Sequence, residues 1–493
     1  MVNSVVVWGT GVDAARCIYE LSQRDMEIEY CVEEAHKPNR FYCYDLYEAD
    51  LSHVRNKFVA VAVPMERYLK IKKKLNELGL IEFEDFVHYE LLYKKMAILH
   101  GNCHMDIVGR FLNLSIAFKR SYMVYPNQAI HLNAEGRIDE CVLRHCDLWI
   151  HQDIRSDVRY GYLLSDEGIR GKLQETALEI VFPNLYVMGC FLFPQTEKGC
   201  RRKKEEYVYP PIPTDNHKDK VGMFPETQTD YLINDWIMDC YGEVEEIVRH
   251  CMEKDAIAQD SIKKLYEREM DRLRRREAYW DIKISDYIEE NYKRRRLFHD
   301  HEHPTNEVLK RMAEGVLVLL GIKEELPDIP LSLARYENPV YPCTQKALGL
   351  EWMDAEYHPG NRTVAIRETL DTEEYIRQYV WWRYGNQKAR MVHILRNRVA
   401  EGCQRFVVVP YGNRGKYMGR LLEKEFGETV QICFADNHQF DNETVYELDK
   451  LPFDEGRTCY LLATIRKEIA GELYAQLRKK VSVSDIIHIL DVA

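Results

Sequence analysis

Short apolar runs alternate with helical periods at both ends of the chain. Val5-Val6-Val7-Trp8-Gly9-Thr10-Gly11 reads as a buried strand entering a glycine turn, Ala14 to Leu21 as a helix, and Ile28-Glu29-Tyr30-Cys31-Val32-Glu33 as a second strand. Phe58-Val59-Ala60-Val61-Ala62-Val63-Pro64 predicts a third strand, followed by a helix from Tyr68 to Leu78. The last ninety residues repeat this grammar: Val407-Val408-Val409-Pro410-Tyr411-Gly412, a helix through Leu421-Leu422, then strands at Val430 to Asp436 and Cys459 to Ile465. In both copies an acid follows the turn glycine by 24 residues, Gly9 to Glu33 and Gly412 to Asp436. One module used twice accounts for that spacing, and strand–helix alternation predicts a parallel sheet in each.

The middle is different. Ala97-Ile98-Leu99, Leu148-Trp149-Ile150 and the segments Val181-Phe182 and Leu185-Tyr186-Val187 read as strands, and a charged, helix-rich half follows them. From Glu243 to Arg296, Ile247, Val248, Met252, Ile262, Leu265, Met270 and Leu273 recur at helical spacing. Prolines 327, 330, 339 and 342 mark a boundary, and residues 371–399 predict helices leading into the last module. The expected divisions are 1–93, 94–325, 326–398 and 399–493.

With 493 residues, the chain exceeds what one core normally supports. Gly315 to Ile322, its longest clean apolar run near a helix, is too short to span a bilayer. The opening Met1-Val2-Asn3-Ser4 lacks a basic leader, so the expected location is cytoplasmic. Fourteen scattered cysteines without a CxxC pair read as reduced thiols. A net charge of −12 excludes a general nucleic-acid binder, although Arg201 to Lys204 and Lys293 to Arg296 suit a phosphorylated ligand.

Candidate chemistry starts at Gly101-Asn102-Cys103-His104, where a strand runs straight into a helix. A cysteine on that corner sees unpaired N–H groups and the positive end of the helix dipole, which favour its thiolate. Gly101 permits close approach, and the Asn102 amide is suited to a developing oxyanion; equally, Asn102 is suited to cap the helix while Cys103 packs. Asp300-x-x-His303 places a carboxylate behind an imidazole, so that the other ring nitrogen serves a nucleophile. His299, His301 and His303 also suggest a metal or a solvent-facing run, but no fourth ligand stands nearby and no metal is expected. Gln152, ending the strand through His151, is an oxyanion donor or a turn residue.

Each terminal module places its acid where a dinucleotide-binding sheet grips ribose, yet neither completes G-x-G-x-x-G. Gly9, Gly11, Glu33, Gly412 and Asp436 are therefore nucleotide-binding candidates, with turn-forming and subunit docking as the other reading. The two ends resemble the small Rossmann-like domains appended to sugar acyltransferases. The layout of the centre is similar to SGNH hydrolases, with Cys103 in the place of serine.

Gly101-Asn102-Cys103, His151-Gln152-Asp153, Val181 to Asn184, Arg296-Leu297-Phe298, His303-Pro304 and Pro339 to Pro342 together resemble the WcbI family, acetyltransferases of capsular polysaccharide biosynthesis. That resemblance, over roughly Lys94 to Trp352, implies coenzyme A binding and acetyl transfer from acetyl-CoA to a sugar hydroxyl. The family usually reads Gly-Asn-Cys-Gln, so His104 must supply a donor in the matching tautomer. The expected fold class is α/β: a central SGNH-like domain with a helix-rich half between two similar Rossmann-like parallel-sheet domains. Cys103, His303 and Asp300 are the expected catalytic set, with Gly101, Asn102, His104 and Gln152 at the oxyanion or substrate. The expected partners are a carbohydrate or sugar-nucleotide acceptor and, through the terminal modules, a second copy of the chain. A glycan acyl-esterase and a non-enzymatic scaffold or sensor are the competing readings.

Overall fold

The computed structural model describes residues 4–34, 40–156, 160–186, 188–197, 229–239, 244–330, 333, 337–354, 356–357, 369–380, 386–441, 444–451, 457–464 and 467–488. The basic run 201–204 lies outside them. The chain is a mixed α/β protein that packs as two units. The first comprises Met1–Asn184, Arg274–Asp286 and Asn306–Ser332; the second comprises Leu185–Leu273, Tyr287–Thr305 and Leu333–Ala493.

In the first unit, β1 (Ser4–Trp8), β2 (Glu27–Glu33), β3 (Arg40–Phe41), β4 (Tyr44–Glu48), β5 (Val59–Val61) and β6 (Phe86–His88) form a sheet in the order β3-β4-β2-β1-β5-β6. Its pairings are parallel except for the β3–β4 hairpin. A second sheet, β7 (Lys95–His100), β8 (Tyr122–Tyr125), β9 (Leu148–Gln152) and β10 (Leu178–Phe182), is parallel throughout in the order β10-β9-β7-β8. Val6, Trp8, Val59 and Phe86 of the first sheet share one core with Met96, Ile98 and Trp149 of the second. β7 and β9 are buried almost throughout, which is why they read as continuous apolar runs. The helix His104–Leu112 follows β7 and buries Met105, Ile107, Val108 and Phe111, and the helix Asn306–Leu319 packs against it.

The second unit holds the C-terminal sheet: β11 (Arg405–Val409), β12 (Gln431–Asp436), β13 (Val445–Glu447), β14 (Thr458–Leu462) and β15 (Ile486–His488), in the order β13-β12-β11-β14-β15. Counted along the chain, its parallel strands read 3-2-1-4-5, as do β4-β2-β1-β5-β6 of the N-terminal sheet. A further shared device is absent from the sequence reading. A histidine ends the fifth strand of each module and its Nε2 meets the carbonyl just past the fourth, His88 to Val63 and His488 to Thr464, both at 3.1 Å.

The helix-rich half resolves into Val244–Cys251, Gln259–Glu277 and Ser285–Asn291, and the later stretch into Thr372–Val380 and Asn386–Ala400. The expected strand at 185–187 is corrected. Pro183 lacks an N–H for a ladder, and beyond it Met188 N–H turns back to the Leu185 carbonyl; Val187 lies outside the described residues.

Candidate functional site

The Gly101 to Cys103 corner stands at the carboxyl end of β7 and is held from both neighbouring strands. From beyond β8, Asn127 Nδ2 donates to the Leu99 carbonyl and Ile130 N–H to the Gly101 carbonyl, both at 2.8 Å. From the end of β9, Gln152 Oε1 accepts the Asn102 N–H at 2.8 Å, and Gln152 Nε2 reaches the Pro183 carbonyl at 3.3 Å. A Cβ on residue 101 would lie 2.6 Å from Gln152 Oε1, so this close approach requires glycine.

Asn102 Oδ1 accepts the His104 N–H at 2.9 Å, while Nδ2 donates to Asn184 Oδ1 at 3.4 Å. The asparagine thus caps the helix. Cys103 is half-buried at the helix start, and His104 is buried on the first turn. Oxyanion donation by Gln152 or Asn102 would ask these amides to give up partners they hold here.

β7 and β8 run to one side of the second sheet and β9 and β10 to the other, so the strand order reverses between β7 and β9. Ligands of open α/β sheets collect at the carboxyl ends beside such a reversal. Gly101 and Gln152 flank it.

Directly behind lies a cluster that sequence reasoning missed. His100, ending β7, and His151, next to last in β9, are register partners. His151 is fully buried, stacks on Trp149, and places its ring nitrogens 3.1 Å from Asp166 and 2.9 Å from Glu179. Burial works against its charge, but the two carboxylates outweigh it and raise its pKa. Glu179, bonded by His151 and then Arg170, is drawn down to about 2. His100 Nε2 donates to the Leu164 carbonyl, 2.9 Å away, and burial, together with the neighbouring His151, lowers its pKa to about 4. Two imidazoles whose pKa values are pushed in opposite directions therefore sit side by side behind the corner. The only sequence signal was a histidine at or next to the end of each strand.

In the second unit, residues 297–305 form a tight loop closed by His299 N–H to the His303 carbonyl at 2.8 Å and Thr305 N–H to the Leu297 carbonyl at 2.9 Å. Asp300 lies buried inside it. Its Oδ1 accepts the N–H groups of Glu302 and His303 at 2.7 and 2.8 Å, and its Oδ2 meets His303 Nδ1 at 2.7 Å. Burial alone would raise the Asp300 pKa; the His303 bond and these charges hold it below the ordinary value. Nδ1–H toward Asp300 leaves Nε2 as the basic nitrogen of the ring. Arg296 braces the loop through the carbonyls of Phe298, His299 and Asn338 and through Asp354. The three histidines take different carboxylates: His299 meets Glu337, His301 meets Glu302, and His303 meets Asp300.

The terminal candidates are used within their own modules. Gly9 adopts φ +132°, and a Cβ there would meet the Ala62 carbonyl oxygen at 2.6 Å; Gly11 and Gly412 face open space. Glu33 accepts from Thr10 Oγ1 at 2.9 Å and Arg67 at 2.7 Å, and Asp436 accepts from the N–H groups of Tyr411, His438 and Gln439. Both acids tie the second strand's end to the turn after the first.

No curated protein matches the chain. One solved structure is that of WcbI, described as a novel polysaccharide biosynthesis enzyme in a native form without a disulfide bond between coenzyme A and a cysteine. It is 20% identical, with a TM-score of 0.47, over 59% of this chain and 89% of that one. Residues 96–213 and 215–325, which carry the corner, the β9 end and the Asp300–His303 pair, match the family model of polysaccharide biosynthesis enzyme WcbI, so the centre of this chain is similar to that family.

Proposed function

We propose that this chain transfers an acyl group, acetyl in the first instance, from coenzyme A to a hydroxyl of a carbohydrate or sugar-nucleotide acceptor during polysaccharide biosynthesis. The observation that carries the reading is the Gly101-Asn102-Cys103 corner at the strand-order reversal of a parallel sheet, inside the region matching the family. Coenzyme A is the ligand named for the WcbI structure, and acyl-coenzyme A donors are cytoplasmic metabolites, which supports a cytoplasmic site of action. Among the described residues no helix is long and apolar enough to cross a membrane.

In the proposed reaction His303 Nε2, its tautomer fixed by Asp300, removes the proton of the acceptor hydroxyl. The hydroxyl oxygen attacks the acyl carbonyl, the carbon–sulfur bond breaks, and the departing thiolate takes the proton back from His303. If the acyl group first passes to the Cys103 sulfur, the same base serves both half-reactions. Residues 94–325 carry this chemistry on an SGNH-like layout. Residues 1–93 and 399–493, the latter reached from 94–325 through the connector 326–398, are Rossmann-like modules that dock a second copy or hold the nucleotide part of the acceptor through Gly9, Gly11, Glu33, Gly412 and Asp436.

The test measures acetyl transfer from acetyl-CoA to a panel of sugar nucleotides, with coenzyme A binding measured by calorimetry. His303→Ala should abolish transfer and leave coenzyme A binding largely intact; Cys103→Ala should abolish transfer or convert it to the direct route. Acetyl-CoA turned over without an acceptor would indicate an esterase, and absence of coenzyme A binding by the wild-type chain would overturn the reading.

A further inference from the structure

His151 is fully buried one residue ahead of Gln152, and the proposed reaction leaves it unused. Its ring nitrogens meet acceptors on both sides. Nδ1 lies 3.0 Å from the Gln152 carbonyl oxygen, with Asp166 Oδ1 3.1 Å away, and Nε2 lies 2.9 Å from Glu179 Oε1. Arg170 holds both oxygens of Glu179, its Nε 3.0 Å from Oε2 and its Nη2 2.5 Å from Oε1, so that carboxylate is an anion with no proton to lend to Nε2. Asp166 ties down the chain beyond β9: its N–H donates to the Ile154 carbonyl at 2.9 Å, and its Oδ2 accepts the Ile154 N–H at 3.2 Å. His100 is the contrast. Its Nε2 donates to the Leu164 carbonyl, and its Nδ1 faces a donor, the Asn127 amide nitrogen, at 3.4 Å, so one proton satisfies that ring.

We propose that His151 is a positioning residue: a doubly protonated imidazole whose Nδ1–H fixes the Gln152 carbonyl and, through the Gln152 side chain, the Asn102 N–H and the Gly101–Cys103 corner. Acceptors at both ring nitrogens require a proton on each, and only the imidazolium carries two. The carbonyl it holds belongs to the residue whose Oε1 accepts the Asn102 N–H at 2.8 Å, so Gln152 is fixed at its main chain by the ring and at its amide by the corner. Without the ring bond, the peptide after Gln152 is free to turn and the side chain loses its aim at Asn102. The charge is answered where it sits. Asp166 and Arg170 come from the helix Asp166–Arg170 and Glu179 from β10, and with His151 their four charges cancel. Burial opposes the charged ring, and the two carboxylates overcome it. The aromatic face of Trp149, stacked on the ring with 3.5 Å between centroids, keeps it in the plane these partners share.

The experiment uses the full chain with nitrogen-15 in its histidine rings. A histidine with the ordinary pKa of about 6.5 is about nine-tenths neutral at pH 7.5. The wild-type spectrum at that pH should contain an imidazole with both nitrogens protonated, and its signals should vanish in His151→Asn and His151→Gln. Hydrogen exchange then reads the corner. Asparagine puts its amide nitrogen where Nδ1 stood and still donates to the Gln152 carbonyl, whereas glutamine reaches only toward Glu179. Protection of the Asn102 amide, taken relative to the amides of β7, should fall about tenfold in His151→Gln, the worth of one hydrogen bond, and stay near wild type in His151→Asn. This inference rests on the acyl-transfer reading only where turnover is measured: kcat should fall about 100-fold in His151→Gln with the KM for acetyl-CoA near wild type, and recover in His151→Asn. A singly protonated ring at residue 151, equal Asn102 protection in the two variants, or an undiminished kcat in His151→Gln would each overturn the proposal. Ring protonation and exchange need no acetyl transfer, so a chain that meets both expectations and turns nothing over refutes the acyl-transfer reading alone.

Discussion

Replacing Gly101 with alanine tests whether the Gln152 amide holds the corner. The new Cβ would lie 2.6 Å from Gln152 Oε1 and 2.9 Å from its Cδ and Cγ, whereas ordinary contact begins at 3.4 Å, so the amide must retreat by about 0.8 Å. That retreat stretches the 2.8 Å bond from Asn102 N–H past hydrogen-bond length in a side chain only 1% exposed. Overpacking of this kind costs about 1–3 kcal/mol, and an unsatisfied buried acceptor a similar amount, so a loss of roughly 2–6 kcal/mol is expected. A misplacement approaching 1 Å also costs on the order of 100-fold in rate. Denaturant midpoints and acetyl-transfer rates are the readouts. Gly471→Ala, on a helix with open space around it, should be neutral or stabilising by about 1 kcal/mol. The cost should also shrink in a Gln152→Ala background, where the obstructing side chain is gone. Wild-type midpoint and turnover in Gly101→Ala would refute the role given to Gln152.

Two further outcomes are expected. Native-state alkylation near neutral pH should modify half-buried Cys103 along with exposed Cys43, while buried Cys17, Cys31, Cys146 and Cys190 stay unmodified, and coenzyme A should protect Cys103; an unreactive Cys103 would remove it as nucleophile. Asp230 is buried beside the Tyr341 hydroxyl, and burial raises its pKa from 3.8 to about 7 despite the bonds from Ile233 and Tyr341. The folded state therefore holds a proton that the unfolded state has lost between those values. Its stabilising contribution is full below the unfolded pKa and declines as pH rises to about 7, by about 3 kcal/mol between pH 5 and 8. Asp230→Asn, which keeps the cap oxygen, should flatten that slope in denaturant titrations, and an unchanged slope would show that Asp230 titrates normally.

What the sequence disclosed follows from how local each signal is. β1, β5, β11 and β14 are apolar runs buried almost throughout, and they were visible as such; β2 and β12 mix polar and apolar positions and were visible through their place after a glycine turn and a helix. β6, β13 and β15 have only three residues each, too few for a period, and β3–β4 is a hairpin with mostly exposed or half-buried positions. Asp300-x-x-His303 was legible because both partners lie on one short loop. Gln152 was placed correctly at a strand end, yet the direction of its amide depends on Asn102 from the corner after another strand, fifty residues away. The His151, Asp166 and Glu179 cluster needs three separate segments and has no sequence signature.

The terminal acids show how a correct spacing can carry two meanings. Their 24-residue offset arises because each must reach back from the second strand to the turn after the first. In the N-terminal module the acid is anchored by the Thr10 hydroxyl, the Arg67 guanidinium and one backbone N–H, that of Glu34; in the C-terminal module it is anchored by three backbone N–H groups. A ribose diol at Glu33 has to replace the Thr10 hydroxyl, an exchange of one O–H donor for another that costs little in principle. At Asp436 the diol finds most acceptor positions already filled by groups the fold cannot release without opening the turn. If either module holds a nucleotide, the chemistry of these two acids therefore assigns it to the N-terminal one, and Thr10→Ala, which frees a Glu33 oxygen, should tighten that binding rather than weaken it.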